Sequence, residues 1–407
     1  MEPHGNPEAS NGWLRSVLGG AVIAASLWLG WQIVAAVIAQ RAPLPLAVRV
    51  ASASPAVLGR AAEAEYAAGR VDNAYWLSGQ GLARAPFDVQ SMRTRGLSEA
   101  KRGRIALADQ LVTLAGNWSL RDDASHGWLI EQRLRRGDYY SAFAHADTLA
   151  RRREAQRPVI FRLFTTAAMN DARAGPALIR LLGTRPFWRW DYLKSLYAQP
   201  ETAALQGSLA IALEHTSAPL EPGELEQLYT EWARQGRIEG LKHLRSTLGR
   251  PPVEPAVANG SFEDIAVYDP FDWSLATEAG LSSLISADEN EKTDQALRVE
   301  RRTGSGGLVA GQLVLLAPGH YTLSGRARAE TNQSPGLRWS LTCFENPAVA
   351  LGQVPSVATS SWKRFSTSVT VPATGCSAQW LRLYALVDDS PEYRVVWFDD
   401  LALTPSH

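Results

Sequence analysis

The stretch HYTLSGRARA, residues 320–329, alternates two kinds of residue along its whole length. Tyr321, Leu323, Gly325 and Ala327 occupy one set of alternate positions, and mostly polar residues occupy the other. A period of two is typical of a β-strand with one buried face. Several short strands without intervening helices predict an antiparallel β-sandwich or jelly roll. The last third of the chain repeats the pattern in GLRWSLTCF, RFSTSVTVP, WLRLYALV and YRVVWFDDLAL.

A 34-residue repeat occupies the middle of the chain. Gly69, Gly103 and Gly137 lie 34 residues apart, and the segments between them have apolar residues at helical spacing. We expect pairs of antiparallel helices, because glycine permits a tight turn and a small residue lets two helices approach closely. The small residue is an alanine five positions after each glycine: Ala74, Ala108 and Ala142.

The repeated motif resembles the core of the tetratricopeptide repeat, which is present here as GRVDNA, GRIALA and GDYYSA. The large aromatic residue expected early in each first helix is mostly absent, and two units lack the closing proline. We expect a solenoid of helical repeats over residues 55–250. Such a solenoid offers a concave surface to a partner protein, or it acts as a spacer that lifts the last domain from the membrane.

The segment RPFWRWDYL, residues 185–193, contains the best candidates for contact with a partner protein. Its four aromatic residues cannot all face one core if the segment is helical. We therefore expect Trp188, Trp190 and Tyr192 to contact the partner, with packing against neighbouring repeats as the alternative.

An uncharged segment, residues 16–40, precedes the repeats and follows an N-terminal tail of residues 1–15. At about 1.5 Å per residue, its apolar part spans the ~30 Å hydrocarbon layer of a membrane. A cleavable signal peptide is the alternative, but the apolar core of a signal peptide is normally about 7–15 residues long. We expect a retained transmembrane helix. The flanking charges define its orientation poorly: Arg15 lies on one side, and Arg41 and Arg49 lie on the other, which slightly favours the opposite of an extracytoplasmic orientation. The character of the C-terminal region therefore decides the orientation that we expect.

A proline-rich hinge, residues 251–257, separates the repeats from the β-rich region, residues 258–404. The first segment of that region is NGSFE, which a tryptophan follows; then come GHYTLSGRARA, SWKRFSTSVTVP and VWFDDLAL. In this order and spacing, the four segments resemble the jelly-roll carbohydrate-binding modules that hold a structural calcium ion. The resemblance covers about residues 257–404 and implies a β-sandwich that recognises a sugar.

The resemblance also implies calcium ligands at Glu263 and Asp399. Alternation in the last strand favours Asp399 over Asp400, because it would place Asp399 on the same face as Leu401 and Leu403. A carboxylate on a buried face needs a compensating partner, which calcium would supply. The alternative is that Asp399 accepts backbone hydrogen bonds without any metal.

Aromatic residues of the β-rich region divide between core and surface. Trp339 shares a face with leucines, and Trp273 and Trp362 occupy framework positions of the resembling family, so we expect all three in the core. One strand has a tryptophan, an arginine and a tyrosine on the face opposite its leucines. We expect these residues to form an outward platform that binds a sugar, with cross-strand packing as the alternative. The platform comprises Trp380, Arg382 and Tyr384, extended by Arg338.

A guanidinium in this platform suits the carboxylate of an acidic polysaccharide, whereas a neutral sugar would not require a guanidinium.

The two cysteines, Cys343 and Cys376, both lie in the last third. They form either a disulfide, as in an oxidising compartment, or two buried thiols.

The motifs argue against catalysis. Neighbouring acids in a strand, as at 399–400, point to opposite faces and cannot share a substrate. The seven histidines are scattered, and neither an H-E-x-x-H nor a G-x-S-x-G motif occurs. Residues 50–250 contain 27 basic against 21 acidic residues, but their arginine runs fall in helical patterns and indicate solvated faces, with no nucleic-acid partner.

The sequence therefore supports two functions from different classes. The first is a non-enzymatic scaffold, anchored in the inner membrane with most of the chain outside the cytoplasm, whose sandwich binds a polysaccharide. It would serve synthesis or export of envelope or extracellular polysaccharide. The alternative is a purely structural protein–protein scaffold of a membrane complex whose jelly roll binds no sugar. A third option is an accessory subunit of a glycan-processing enzyme.

Overall fold

The computed structural model describes residues 10–249, 257–264, 270–278, 280–288, 291–302, 305–330, 336–356, 359–387 and 393–406 of the 407-residue chain. The hinge, residues 251–257, and the tail, residues 1–15, lie largely outside these ranges. The chain forms two compact units, Met1–Ile160 and Phe161–His407. The predicted fold class is confirmed, since helices come first and an antiparallel β-sandwich follows.

The first helix, α1 (Ser10–Arg41), contains the predicted apolar span. Its segment Val17–Arg41 is long enough and apolar enough to cross a membrane, and it is the one such helix in the described part of the chain. At its C-terminal end, the guanidinium of Arg60 donates to the carbonyls of Ala39, at 2.7 Å, and Ala42, at 2.6 Å. These bonds satisfy carbonyls that a helix end leaves without partners. The first repeat is thereby attached directly to the end of the apolar helix.

Helices joined by turns of two to four residues make up most of the rest of the first unit. Gly69, Gly103 and Gly137 lie in three of these turns with φ of 77°, 81° and 70°, a backbone conformation that glycine adopts at little cost. The alanine that follows each glycine by five residues is fully buried. The helices are α2 (Leu44–Ala51), α3 (Pro55–Ala67), α4 (Val71–Arg84), α5 (Val89–Lys101), α6 (Ile105–Trp118), α7 (Asp123–Arg135) and α8 (Tyr139–Arg152), and α9 (Arg157–Asn170) crosses into the second unit.

The 34-residue spacing is lost in the second unit. Its first two helices after α9 have only nine residues each. Gly236, with φ of 71°, restores the glycine turn between the last two helices. The helices are α10 (Ala174–Leu182), α11 (Arg189–Tyr197), α12 (Ala203–Glu214), α13 (Pro222–Arg234) and α14 (Ile238–Thr247).

Two antiparallel sheets complete the second unit. The five-stranded sheet has the order β1-β5-β10-β7-β8, and the six-stranded sheet has the order β2-β3-β4-β11-β6-β9. The strands are β1 (Ser274–Leu275), β2 (Thr277–Glu278), β3 (Leu281–Asp288), β4 (Glu291–Arg301), β5 (Gly307–Val314), β6 (Gly319–Ala329), β7 (Leu337–Cys343), β8 (Ala350–Pro355), β9 (Lys363–Val371), β10 (Gln379–Ala385) and β11 (Arg394–Pro405).

Aromatic residues fill the core between the two sheets. Trp339 contacts Trp273 and Phe398 edge to face, with ring centroids 5.7 and 5.6 Å apart. The predicted core positions of Trp273 and Trp339 are confirmed. The prediction for Trp362 is wrong, because this half-buried residue packs on the outer face of the six-stranded sheet beside Trp397.

Candidate functional site

Strand β10 carries the predicted platform on the outer face of the five-stranded sheet. Leu381 and Leu383 are fully buried in the core, whereas Trp380, Arg382 and Tyr384 are half-buried on the opposite face. The predicted assignment of these side chains to a non-core face is therefore confirmed. Binding of a ligand there stays a prediction.

The register of the sheet places Arg382 in a row that crosses four strands. Arg382 lies opposite Gly311 on β5 and Ser340 on β7, and Ser340 lies opposite Gln353 on β8. Residues directly opposite each other share a face of the sheet. A Cβ atom at Gly311 would approach Cγ of Arg382 to 3.2 Å, so a glycine there leaves space for the arginine side chain.

Aromatic rings flank Arg382 on its own strand. The guanidinium carbon lies 4.4 Å from the ring centroid of Trp380, and Nη1 is 3.4 Å from the hydroxyl oxygen of Tyr384. Phe344 stacks on Trp380 with ring centroids 6.1 Å apart and an interplanar angle of 29°. Flat apolar surface and a planar cation therefore lie side by side, which suits sugar rings and their polar substituents.

Arg338 and Thr342 belong to the same face, because they lie opposite Tyr384 and Trp380. Nη1 of Arg338 donates to the amide oxygen of Gln353 at 3.0 Å. In the described part of the chain neither Arg338 nor Arg382 pairs with a carboxylate. Nε of Arg382 and Oγ1 of Thr342 are buried and have no hydrogen-bond partner among the described residues, which costs about 1–3 kcal/mol per group when nothing binds it.

A disulfide closes one end of this face. Cys343 is bonded to Cys376, with 5.0 Å between their Cα atoms. The structure thus decides between the two alternatives for the cysteines. The bond ties the end of β7 to the loop before β10, next to Thr342 and Phe344, so it holds both strands that carry the platform.

The predicted calcium residues lie elsewhere: Asp399 is on the six-stranded sheet, and Glu263 lies in the segment before β1 and contacts that sheet at β4. Asp399 on β11 lies opposite Arg326 on β6, whose Nε donates to Asp399 Oδ2 at 3.0 Å. The backbone amide of Asp400 donates to Asp399 Oδ1 at 2.7 Å. Glu263 is exposed and accepts from the backbone amide of Gln295 at 3.0 Å.

The predicted reason for choosing Asp399 is wrong. A bulge interrupts the register between Asp399 and Ala402, with Asp400 at φ of 53°. The extra residue inverts the alternation, so Leu401 points into the core whereas Asp399 shares the outer face with Arg326. A bulge of this kind cannot be read from strict alternation.

Arg326 carries the positive charge of this second cluster. It pairs with Asp399, with Asp294 at 2.6 Å and with Asp400 at 3.1 Å, and it lies 4.7 Å above the ring of Trp362. Burial raises the pKa of Asp399 to about 6, although the hydrogen bonds from Arg326 act in the opposite direction.

With the guanidinium in this position, the side chains described here do not fit a calcium ion. No group of three or more His, Cys, Asp or Glu in the described residues is placed to share a metal. Asp399 instead accepts a hydrogen bond from the backbone amide of Asp400, in addition to those from Arg326. Backbone hydrogen bonding was the alternative to calcium in the sequence analysis. Calcium at Glu263 and Asp399 is thus implied by the resemblance alone, and chelation tests it.

The predicted partner residues of the helical region need a correction. Trp188 and Tyr192 are fully buried and pack against Phe161 and Phe164. The Tyr192 hydroxyl lies 3.3 Å from Oγ1 of Thr165. Since both side chains are fully buried, neither is exposed to a partner.

Trp190 is 40% exposed and stays a candidate for that contact. The sequence analysis missed one exposed aromatic pair. Phe87 and Trp118 stack with ring centroids 4.6 Å apart, and both side chains are more than 60% exposed. They follow α4 and end α6, a position that helical periodicity does not single out.

No family model matches the chain, and no curated protein sequence matches it either. Solved structures that resemble it match its C-terminal sheet region. A family 4 carbohydrate-binding module is 16% identical, with a TM-score of 0.29, and the match covers 37% of this chain and 99% of the module. A family 16 module is 17% identical, with a TM-score of 0.27 and the same coverage. The N-terminal cellulose-binding domain of Cellulomonas fimi β-1,4-glucanase C is 21% identical, with a TM-score of 0.26, covering 37% of this chain and 97% of that domain.

Proposed function

We propose that this protein is a membrane-anchored, non-enzymatic scaffold whose β-sandwich binds a polysaccharide on the outer face of its five-stranded sheet. It would serve synthesis or export of envelope or extracellular polysaccharide. One observation carries the proposal: Trp380, Arg382 and Tyr384 form a half-buried aromatic and basic surface, on which Nε of Arg382 has no hydrogen-bond partner within the described residues.

The composition of this surface supports binding without catalysis. Its aromatic rings offer flat apolar area to sugar rings, and its hydroxyl and guanidinium groups offer hydrogen bonds. The platform itself contains neither a carboxylate pair nor a histidine, which glycoside hydrolysis or general base catalysis would require.

Two features support a location outside the cytoplasm. The apolar segment of α1 has the length of a membrane anchor. The disulfide Cys343–Cys376 is typical of proteins that fold in an oxidising compartment. Together they favour an inner-membrane protein with a periplasmic or otherwise extracytoplasmic sandwich.

The helical region supports the scaffold part of the proposal. Exposed aromatic residues are enriched where proteins contact one another. The stacked pair Phe87 and Trp118 in the first unit offers such a surface to a partner protein, and Trp190 in the second unit offers a separate one. The same observation favours the second candidate function, a protein–protein scaffold whose sandwich binds no sugar.

Retention on immobilised polysaccharides distinguishes the two functions. We expect the full-length protein, solubilised in detergent, to be retained on at least one acidic or neutral polysaccharide of a panel. Trp380→Ala should abolish that retention, while Trp190→Ala, an exposed tryptophan outside the sandwich, serves as the matched control. Failure of every polysaccharide to retain the protein would leave the protein–protein scaffold as the function.

A further inference from the structure

The platform contains two arginines on adjacent strands, and neither pairs with a carboxylate of the described residues. Because Arg382 lies opposite Ser340 and Tyr384 lies opposite Arg338, the two arginines are diagonal neighbours. Diagonal side chains on one face of a sheet begin about 7 Å apart, within reach of long side chains.

Two guanidinium groups at this spacing repel each other unless an anion lies near both. Repulsion between like charges weakens with the screening of water, but both side chains here are half-buried, so part of it persists. Their known contacts, the amide oxygen of Gln353 and the hydroxyl of Tyr384, are neutral. Within the described residues, the positive charge of the two arginines is therefore not balanced by any carboxylate, and Nε of Arg382 is a donor without an acceptor.

The surroundings are suited to a sugar that carries the anion. Trp380 and Tyr384 lie on either side of Arg382 along the strand, and the buried hydroxyl of Thr342 has no hydrogen-bond partner in the part of the chain that the structure describes. A guanidinium binds a carboxylate through two parallel hydrogen bonds, which an ammonium group cannot reproduce. Aromatic surface next to such a fork matches a sugar ring with a carboxylate substituent.

We propose that Arg338 and Arg382 form a carboxylate-binding subsite and that the polysaccharide bound by the sandwich is acidic, with uronic acid residues. This inference rests on the proposed function of the platform. The inference specifies the ligand more narrowly than the proposed function does, because a neutral polysaccharide has no negative charge for the two arginines to bind.

Polygalacturonate and its methyl-esterified form provide a matched pair of probes, since they share a backbone and differ in the charge of the carboxylate. We expect the full-length protein to bind polygalacturonate at least about tenfold more tightly, a difference of ~1.4 kcal/mol. Raising the salt concentration should weaken the binding of polygalacturonate and leave that of the ester unchanged.

Substitutions at the two arginines test the subsite itself. Arg382→Gln and Arg338→Gln should each remove most of the preference for polygalacturonate over its ester. Arg382→Lys should restore little of it, because lysine keeps the charge but lacks the planar fork. Thermal unfolding of each variant checks the fold, and Arg338→Gln keeps the test decisive if Arg382→Gln does not fold.

Three results would overturn the inference in distinguishable ways. Equal binding of polygalacturonate and its ester would contradict an acidic ligand while leaving polysaccharide binding intact. Binding of dextran sulfate as tight as that of polygalacturonate would indicate general attraction to anions instead of a carboxylate subsite. Binding of no polysaccharide at all would contradict the proposed function as well.

Discussion

The two outer faces of the β-sandwich share one chemical motif and differ in its charge balance. On each face an arginine lies over a tryptophan ring: Arg382 at 4.4 Å from Trp380, and Arg326 at 4.7 Å from Trp362. On the six-stranded sheet three carboxylates surround the arginine, whereas on the five-stranded sheet none does among the residues described. An arginine that lies over an aromatic ring therefore indicates a ligand-binding site only where no carboxylate of the protein already neutralises its charge.

The surroundings of each face agree with that distinction. Trp397, on the six-stranded face, is only 3% exposed and lies between Arg298 and Arg328, at 5.7 and 5.5 Å. Arg298 in turn pairs with Glu300. On this face the described carboxylates pair with Arg298 and Arg326, while no described carboxylate pairs with the arginines of the half-buried platform. We infer a structural role for the first face and a binding role for the second.

Removing Arg326 should have the largest effect on stability. Arg326→Ala leaves Asp399 buried without its cation, and breaking a buried ion pair on one side costs about 3–5 kcal/mol. Denaturant unfolding of the full-length protein should show the loss, with faster hydrogen exchange in β6 and β11. Arg382→Ala is the matched control on the other face and should change stability by less than about 1 kcal/mol, because no ion pair is lost. Equal losses for the two variants would contradict the comparison.

Removing the disulfide should have the next largest effect, confined to the five-stranded sheet. Replacing both cysteines by serine releases a loop of 33 residues, and loss of a native disulfide typically costs about 2–5 kcal/mol. Polysaccharide binding should weaken too, since the bond holds the ends of the strands that carry Trp380 and Phe344. Hydrogen exchange that rises in β6 and β11 but not in β7 and β10 would contradict this assignment.

Truncating Trp380 should separate binding from stability. Trp380→Ala removes the ring against which a sugar would stack, and we expect binding to weaken at least about tenfold, ~1.4 kcal/mol. The unfolding midpoint should change little, because the side chain lies outside the core. Trp339→Ala is the control inside the core and should destabilise the domain by about 3–5 kcal/mol. If Trp380→Ala unfolds the domain to the same extent, the residue belongs to the core.

Chelation should have the smallest effect on the six-stranded face. A calcium ion at Glu263 and Asp399 would stabilise the folded state by mass action, so its removal would lower the melting temperature. Because Arg326 already compensates Asp399, we expect the same melting temperature with EDTA as with added calcium. A clear decrease with EDTA that Asp399→Asn removes would instead establish the calcium site.

Strand alternation predicted the faces of the five-stranded sheet correctly but failed at one position of the six-stranded sheet. Trp380, Arg382 and Tyr384 lie in a regular strand, so a period of two assigns them to one face. Asp399 precedes a bulge at Asp400, whose positive φ inverts the pattern. Local sequence does not reveal such a bulge, because the pairing that creates it comes from β6, about 70 residues earlier in the chain.

Contacts between residues that are distant in the sequence account for the other differences between the predictions and the structure. The three carboxylates around Arg326 come from β4 and β11, and only the folded sheet brings them together.

Trp188 and Tyr192 were expected on the surface because their spacing does not fit one helical face. They are buried because Trp188 precedes the short helix α11 and both residues pack against α9. Helical periodicity cannot describe a core built from a loop and two helices.

Hydrogen exchange of the full-length protein with and without polygalacturonate tests the central comparison most directly. If the platform is the binding face, the polysaccharide should slow exchange in β7 and β10, which carry Arg338, Trp380, Arg382 and Tyr384. Exchange in β6, β9 and β11 should be unchanged, because the arginine of that face is already neutralised. Protection confined to β6, β9 and β11 would contradict the account, since it would place the ligand on the face that we describe as structural.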